Sequence, residues 1–133
     1  MEGEDIRWKQ RFSNFTKALN LLENALKIEQ PDIVQKAGIV QFFEMCSELS
    51  WKVMKDYLES QGFNEIGTPR NAIKKAFEIG LIEDGHAWMD LLVDRNLSVH
   101  TYDEEQANNL DLLIHTKYYP LFQKLNTQLS GKL

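Results

Sequence analysis

The chain is poor in residues that interrupt helices, with three prolines and seven glycines among 133 residues. That scarcity argues against a many-turned sandwich and favours long, uninterrupted helices. Cysteine is almost missing. The single Cys46 has no partner in the chain for a disulfide, so a reducing compartment is the simplest setting. Long apolar runs are missing as well, and the longest fall far short of the roughly 20 residues a spanning helix needs. The opening Met1-Glu2-Gly3-Glu4-Asp5 is acidic and leads into no apolar h-region, which argues against a secretory signal. A soluble cytoplasmic protein with no membrane partner is therefore expected. Positive charge is also in deficit, for the formal net charge is -5. A protein that grips nucleic acid over its whole surface carries the opposite sign, so such a role here needs a local basic site, a dimer groove or a more basic partner.

What is present is helical periodicity. The hydrophobic fraction of 43% is ordinary for a globular chain, and the length suits one domain spanning 1–133. Trp8, Phe12, Phe15, Leu19, Leu22 and Leu26 alternate at spacings of four and three, which lays one apolar seam along a first helix. Pro31 ends that pattern. A second long helix is expected from about Asp32 to Gln61, with Ile39, Phe43, Cys46, Val53 and Leu58 among its inward residues and Gly62 as its stop. Thr68-Pro69 is an N-terminal signal for a short third helix carrying Ala72, Ile73, Ala76 and Phe77 inward and ending at Gly80. A fourth helix starts at Asp84 or Gly85, turns Trp88, Leu91, Leu92 and Val99 inward, and has Arg95 near its end. Asp103 with Gln106 forms a capping-box candidate for the last helix. Its apolar residues keep phase across Pro120, so a kink is expected there. The fold class is all-α, an antiparallel up-and-down bundle of four to five helices.

The polar segment Arg95-Asn96-Leu97-Ser98-Val99-His100-Thr101-Tyr102 carries the richest chemistry. Arginine offers a fixed fork of donors for a phosphate, and histidine exchanges a proton near neutral pH. Together they suit metal-independent cleavage of RNA through the ribose 2′-hydroxyl, with Asn96 orienting the substrate or the imidazole and Tyr102 presenting a phenol alongside. No metal or cofactor is called for. On a straight helix, however, residues five apart are rotated by about 140°, so Arg95 and His100 diverge. They converge only if the helix unwinds or tightens, or if a second copy of the chain supplies one of them. The plainer alternative is that both are helix-end dipole partners, with Asp90, Asp94, Asp103 and Glu104 neutralising Arg95.

The motif has the R-x4-H-x-Y spacing of HEPN domains, with asparagine just after the arginine. Phe43-Glu44, Glu48-Leu49-Ser50-Trp51-Lys52, Pro69-Arg70, Gly80-Leu81-Ile82 and Trp88 extend the match, so that nearly the whole chain resembles the nucleotidyltransferase substrate-binding protein family. The resemblance implies a helical bundle that forms a homodimer with the motif near the two-fold axis, and a minimal nucleotidyltransferase (MNT) as partner. It implies Arg95 and His100 as the catalytic pair of a ribonuclease toxin in a HEPN–MNT toxin–antitoxin pair, acting on RNA. It also implies Tyr102 as the residue the partner modifies with AMP. The alternative is a non-catalytic subunit that binds nucleotide or substrate for a two-component nucleotidyltransferase.

Other residues offer weaker signals. Glu44, Glu48 and Lys52 step along the second helix at i, i+4 intervals; Glu48 and Lys52 are either a surface ion pair or, as their place in the family pattern suggests, a substrate-binding row facing the motif. His86 and Asp90 share a ligand-pair spacing without a supporting cluster, which favours a solvated face over a metal site. Cys46 reads as a buried structural thiol, and Trp51 and Trp88 as core or dimer aromatics.

Overall fold

The computed structural model describes residues 2–133. Helix α1 spans Glu2–Leu26 and α2 spans Ile33–Ser60, followed by α3 (Pro69–Glu78) and α4 (Gly85–Asp94). A 3₁₀ segment, Arg95–His100, leads to α5 (Glu104–Leu113), which runs through a π turn, Ile114–Tyr118, into α6 (Tyr119–Ser130). The last three form one continuous rod, so the all-α bundle has five helical arms. No strand occurs among the described residues. Among the described residues no helix is long and apolar enough to cross a membrane.

Local chemistry sets the helix ends. Asp32 accepts the Gln35 N–H at 2.8 Å while the Gln35 side chain accepts the Asp32 N–H at 2.9 Å, a reciprocal capping box that starts α2. Thr68 caps α3 through the Asn71 N–H (3.2 Å), with Pro69 in the first turn, where its missing N–H would be unpaired anyway. At the far end, Leu81 N–H reaches the Ala76 carbonyl (2.9 Å) and Gly80 N–H reaches that of Phe77 (3.1 Å). That Schellman closure needs the left-handed φ of 78° that Gly80 adopts without strain. Asp84 caps α4 through Ala87 N–H, and Asp103 caps α5 through Glu105 and Gln106 N–H.

The seam of α1 lies against α2, its most extensive neighbour, and α6 closes over both. Trp8, Phe12, Phe15, Leu19 and Leu22 are buried as the spacing predicts, whereas Leu26, in the last turn, is only half-buried. Phe122 is the aromatic hub, with ring centroids 6.2 Å from Phe15 on α1, 6.2 Å from Phe43 on α2 and 6.0 Å from Trp88 on α4. Burying each such ring contributes roughly 1.5–3 kcal/mol, which ties four helices to one centre. Arg11 on α1 donates from Nε to the buried Asp56 carboxylate on α2 at 2.9 Å, a polar clamp beside this core.

Two residues assigned inward by periodicity are outside. Phe77 is 53% exposed because its ring lies over Gly85, where a Cβ would meet Phe77 Cδ2 at 3.3 Å. Val99 is 68% exposed because α4 ends at Asp94 and the tighter 3₁₀ turn shifts the phase of everything after it. The break expected at Pro120 takes the form of the π turn just before it. Proline lacks the N–H that would answer the Thr116 carbonyl and its ring crowds that carbonyl, so the preceding turn widens instead.

Candidate functional site

The 3₁₀ segment lies against the middle of α2 and packs against α4 and α5. Arg95 and Asn96 lie with Glu44, Ser47 and Glu48 of α2 around a shallow polar pocket of ≈ 280 Å³. Arg95 is half-buried there; Asn96 is exposed. Ser47 is buried and donates to the Phe43 carbonyl at 2.8 Å, so the pocket floor has its polar groups satisfied within α2. Glu48 is already paired with Lys52 at 3.1 Å and accepts from the Trp51 indole N–H at 3.2 Å. Burial works against its charge, but the hydrogen bonds of Lys52 and Trp51 and the charges of Lys52 and Arg95 outweigh it. The net effect holds the Glu48 carboxyl below its ordinary value. Lys52 itself stands one turn beyond the pocket lining. The α2 row therefore meets the motif through Glu44 and Glu48, and Lys52 reaches it only by way of Glu48.

His100 and Tyr102 occupy the other side of the segment. Tyr102 is 85% exposed, and its hydroxyl lies 3.3 Å from His100 Nδ1, where either group donates according to the imidazole tautomer. The two rings meet edge to face with centroids 5.9 Å apart. The expected tightening of the helix does occur, yet it does not unite Arg95 with His100. A 3₁₀ turn rotates five residues through about 600°, leaving the side chains roughly 120° apart and about 10 Å apart along the axis. Arg95 faces α2, while His100 faces solvent with Tyr102. Within one copy the guanidinium lines the α2 pocket and the imidazole lies outside that lining. Three exposed apolar residues belong to the segment or to the helices on either side of it, Val93 on α4 (69%), Val99 on the segment (68%) and Leu112 on α5 (62%).

Sequence reasoning set Asp90 and Asp94 near Arg95 but missed their partners on the π turn. Tyr118, fully buried on the π turn and stacked near Phe43 (5.9 Å), donates its hydroxyl to the Asp94 carboxylate, next to Arg95. Burial, the Asp94 hydrogen bond and the charges of Asp94 and Asp90 push its ionisation far above the ordinary tyrosine range, so it acts only as a donor. Lys117 reaches Asp90 at 2.7 Å. Asp90 is thereby engaged away from His86, and no group of three or more metal-ligating side chains assembles among the described residues. Helical phase predicts Tyr118 as a core ring; its hydroxyl's partner, 24 residues away, has no local signal. Cys46 is fully buried in the core and desolvation pushes its thiol up to about 12. Trp88 is a core ring and Trp51 is half-buried over Glu48. A larger groove of ≈ 790 Å³ runs between the 81–84 connection and α6 and touches none of the motif.

The fold and this segment define an all-helical protein with a compact polar pocket between the 3₁₀ segment and the middle of α2. The chain belongs to the nucleotidyltransferase substrate binding protein like family, whose model matches residues 10–131. It is 40% identical over 85 residues to the probable ribonuclease HepT of Haemophilus influenzae, a match covering 59% of this chain and 58% of that relative. The aligned stretch thus spans little more than half of the relative's length. A solved structure from Thermus thermophilus superposes with a TM-score of 0.73 at 30% identity, covering 89% of this chain and 97% of that one. A Haemophilus influenzae structure, described as revealing the fold of a substrate binding domain of a nucleotidyltransferase, superposes with a TM-score of 0.68 at 30% identity, covering 92% and 96%.

Proposed function

We propose that the chain is a metal-independent ribonuclease, the toxin of a HEPN–MNT toxin–antitoxin pair, whose active centre is completed by a second copy of the chain. The observation that carries this is that Arg95 lines the α2 pocket while His100 does not, with Val93, Val99 and Leu112 exposed on the segment and its flanking helices. Two-fold pairing across that surface covers the apolar residues and sets the arginine of one copy beside the imidazole of the other. On this reading residues 1–133 act as one HEPN-like domain in the cytoplasm, and the similarity to a protein named as a probable ribonuclease supports it.

The chemistry follows from the groups. Arg95, always charged, holds the phosphodiester and stabilises charge on its oxygens. His100 takes the 2′-hydroxyl proton as the 2′-oxygen bonds to phosphorus. The bond to the 5′-oxygen breaks, that oxygen receives the proton, and a 2′,3′-cyclic phosphate remains. Asn96, exposed at the pocket rim, orients the substrate; Glu48 and Lys52 tune the arginine's surroundings and meet the flanking nucleotide. Tyr102 is the switch. Its exposed phenol attacks the α-phosphorus of ATP held by the partner nucleotidyltransferase, gaining AMP while pyrophosphate leaves and the phenol loses its proton. The modified oxygen then has no hydrogen for His100 Nδ1, and the added phosphate competes for the arginine fork.

A second function, a nucleotide- or substrate-binding subunit of a two-component nucleotidyltransferase, is favoured by the net charge of -5 and by the two carboxylates beside Arg95. The purified chain decides between them. Wild type is expected to cleave single-stranded RNA and His100→Ala to be inert, and AMP on Tyr102 is expected as a mass increase after incubation with the nucleotidyltransferase and ATP. If wild type and His100→Ala behave identically, the ribonuclease is excluded. Co-elution with the nucleotidyltransferase in that case supports the binding subunit.

A further inference from the structure

The π turn meets α4 at two points, and both contacts fall on acidic residues in its last turns. Lys117 Nζ lies 2.7 Å from Asp90 Oδ2, and the buried Tyr118 hydroxyl donates to Asp94 Oδ2. Asp90 and Asp94 are i, i+4 neighbours on one face of the helix. Carboxylates there sit at the negative end of the helix dipole, and the last turn of α4 has no basic residue of its own to offset them. Left alone, Asp94 would turn to the nearest cation, which in sequence is Arg95. The Tyr118 donor holds one oxygen of that carboxylate instead, and Arg95 lines the pocket with Glu44 and Glu48. The helix changes form at the same place, since α4 ends at Asp94 and the 3₁₀ segment begins at Arg95. Tyr118 is itself held rigidly, with its ring against Phe43, the residue before Glu44. One buried side chain thus contacts the residue that precedes a lining residue on each wall, Phe43 before Glu44 and Asp94 before Arg95.

We propose that Tyr118 and Lys117 are positioning residues for Arg95: by holding Asp94 and Asp90, the π turn fixes where α4 gives way to the 3₁₀ segment and aims the guanidinium into the α2 pocket. The placement stands on the contacts above; its consequence for RNA cleavage rests on the ribonuclease reading.

The test uses the full chain and two readouts, the Arg95 Nε–Hε resonance in a ¹⁵N spectrum and steady-state RNA cleavage. Tyr118→Phe deletes only the hydroxyl and keeps the ring. It is expected to move or broaden the Arg95 resonance and to lower kcat by about ten-fold with KM little changed, as a misaimed transition-state contact does. Asp94→Ala is expected to match it, while Asp94→Asn, which retains an acceptor oxygen for the phenol, restores most of the rate. Lys117→Met, at a half-buried surface position, is expected to act in the same direction more weakly and serves if Tyr118→Phe melts below the assay temperature. An unmoved Arg95 resonance in Tyr118→Phe, or in Lys117→Met where that variant serves, overturns the proposal. If wild type cleaves no RNA, the ribonuclease reading fails separately, and the Arg95 resonance still decides the positioning.

Discussion

Removing the Arg11 side chain isolates a buried carboxylate, and its effect can be worked out from the geometry. Asp56 has a side chain only 4% exposed, and Arg11 Nε meets its Oδ2 at 2.9 Å across the α1–α2 interface. Deleting one member of a buried pair commonly costs about 3–5 kcal/mol, because the remaining charge keeps its desolvation penalty and loses its partner. Here the Arg11 side chain is 33% exposed, so water reaches the carboxylate edge once the guanidinium is gone. The expected loss for Arg11→Ala is therefore about 2–3 kcal/mol, below the fully buried range. Urea unfolding followed by far-UV circular dichroism measures it as a lower midpoint at unchanged slope. The control is Arg11→Met with Asp56→Leu, which removes both charges while filling the space. It is expected to recover most of the loss, since an ion pair and a packed apolar pair of similar volume are often close in stability. If the double variant is as unstable as Arg11→Ala, the stranded carboxylate is not the cause and the loss lies in the attraction of the pair itself.

Two further outcomes follow from ionisation. Cys46, with its thiol pushed up to about 12, is expected to resist a disulfide reagent at about pH 8 in the native state and to react fully in urea; rapid native labelling would contradict its burial. Glu48 has a folded ionisation below its ordinary 4.5, so its contribution to stability is present above that value and is lost as pH falls through the lowered folded value. Because its side chain is 49% exposed, the effect is small. Acid unfolding of Glu48→Gln is expected to show a shallower decline below about pH 4.5 than wild type, while an identical decline would place the relevant carboxylates elsewhere.

Local chemistry made most of the fold legible. The α1 seam has a strict helical period and faces the core formed with α2 and α6, so spacing alone places Trp8, Phe12, Phe15, Leu19 and Leu22. Thr68 and Asp103 start helices because short polar side chains reach the free N–H groups of a first turn, a relation that spans about three residues. The misses share another cause. Val99 loses its phase when α4 tightens, and that tightening is stabilised by contacts with α2, α4 and α5 that no local window contains. Phe77 is set by the bare backbone of Gly85, brought over it by the Gly80 closure. At the site, Arg95, His100 and Tyr102 stand out by residue type and spacing. Their surroundings do not, because Glu48 beside Arg95 and Tyr118 bonded to Asp94 come from other arms of the bundle.

Whether Arg95 and His100 work across two copies is tested most directly by mixing two inactive chains. Arg95→Ala and His100→Ala carrying different tags are co-expressed, and the doubly tagged dimer is purified and assayed on RNA. A centre shared across the two-fold axis leaves one of the dimer's two sites with an intact arginine and an intact histidine, so about half of wild-type activity is expected. A centre built within one copy leaves both sites broken, and a mixed dimer as inert as its parents would contradict the account.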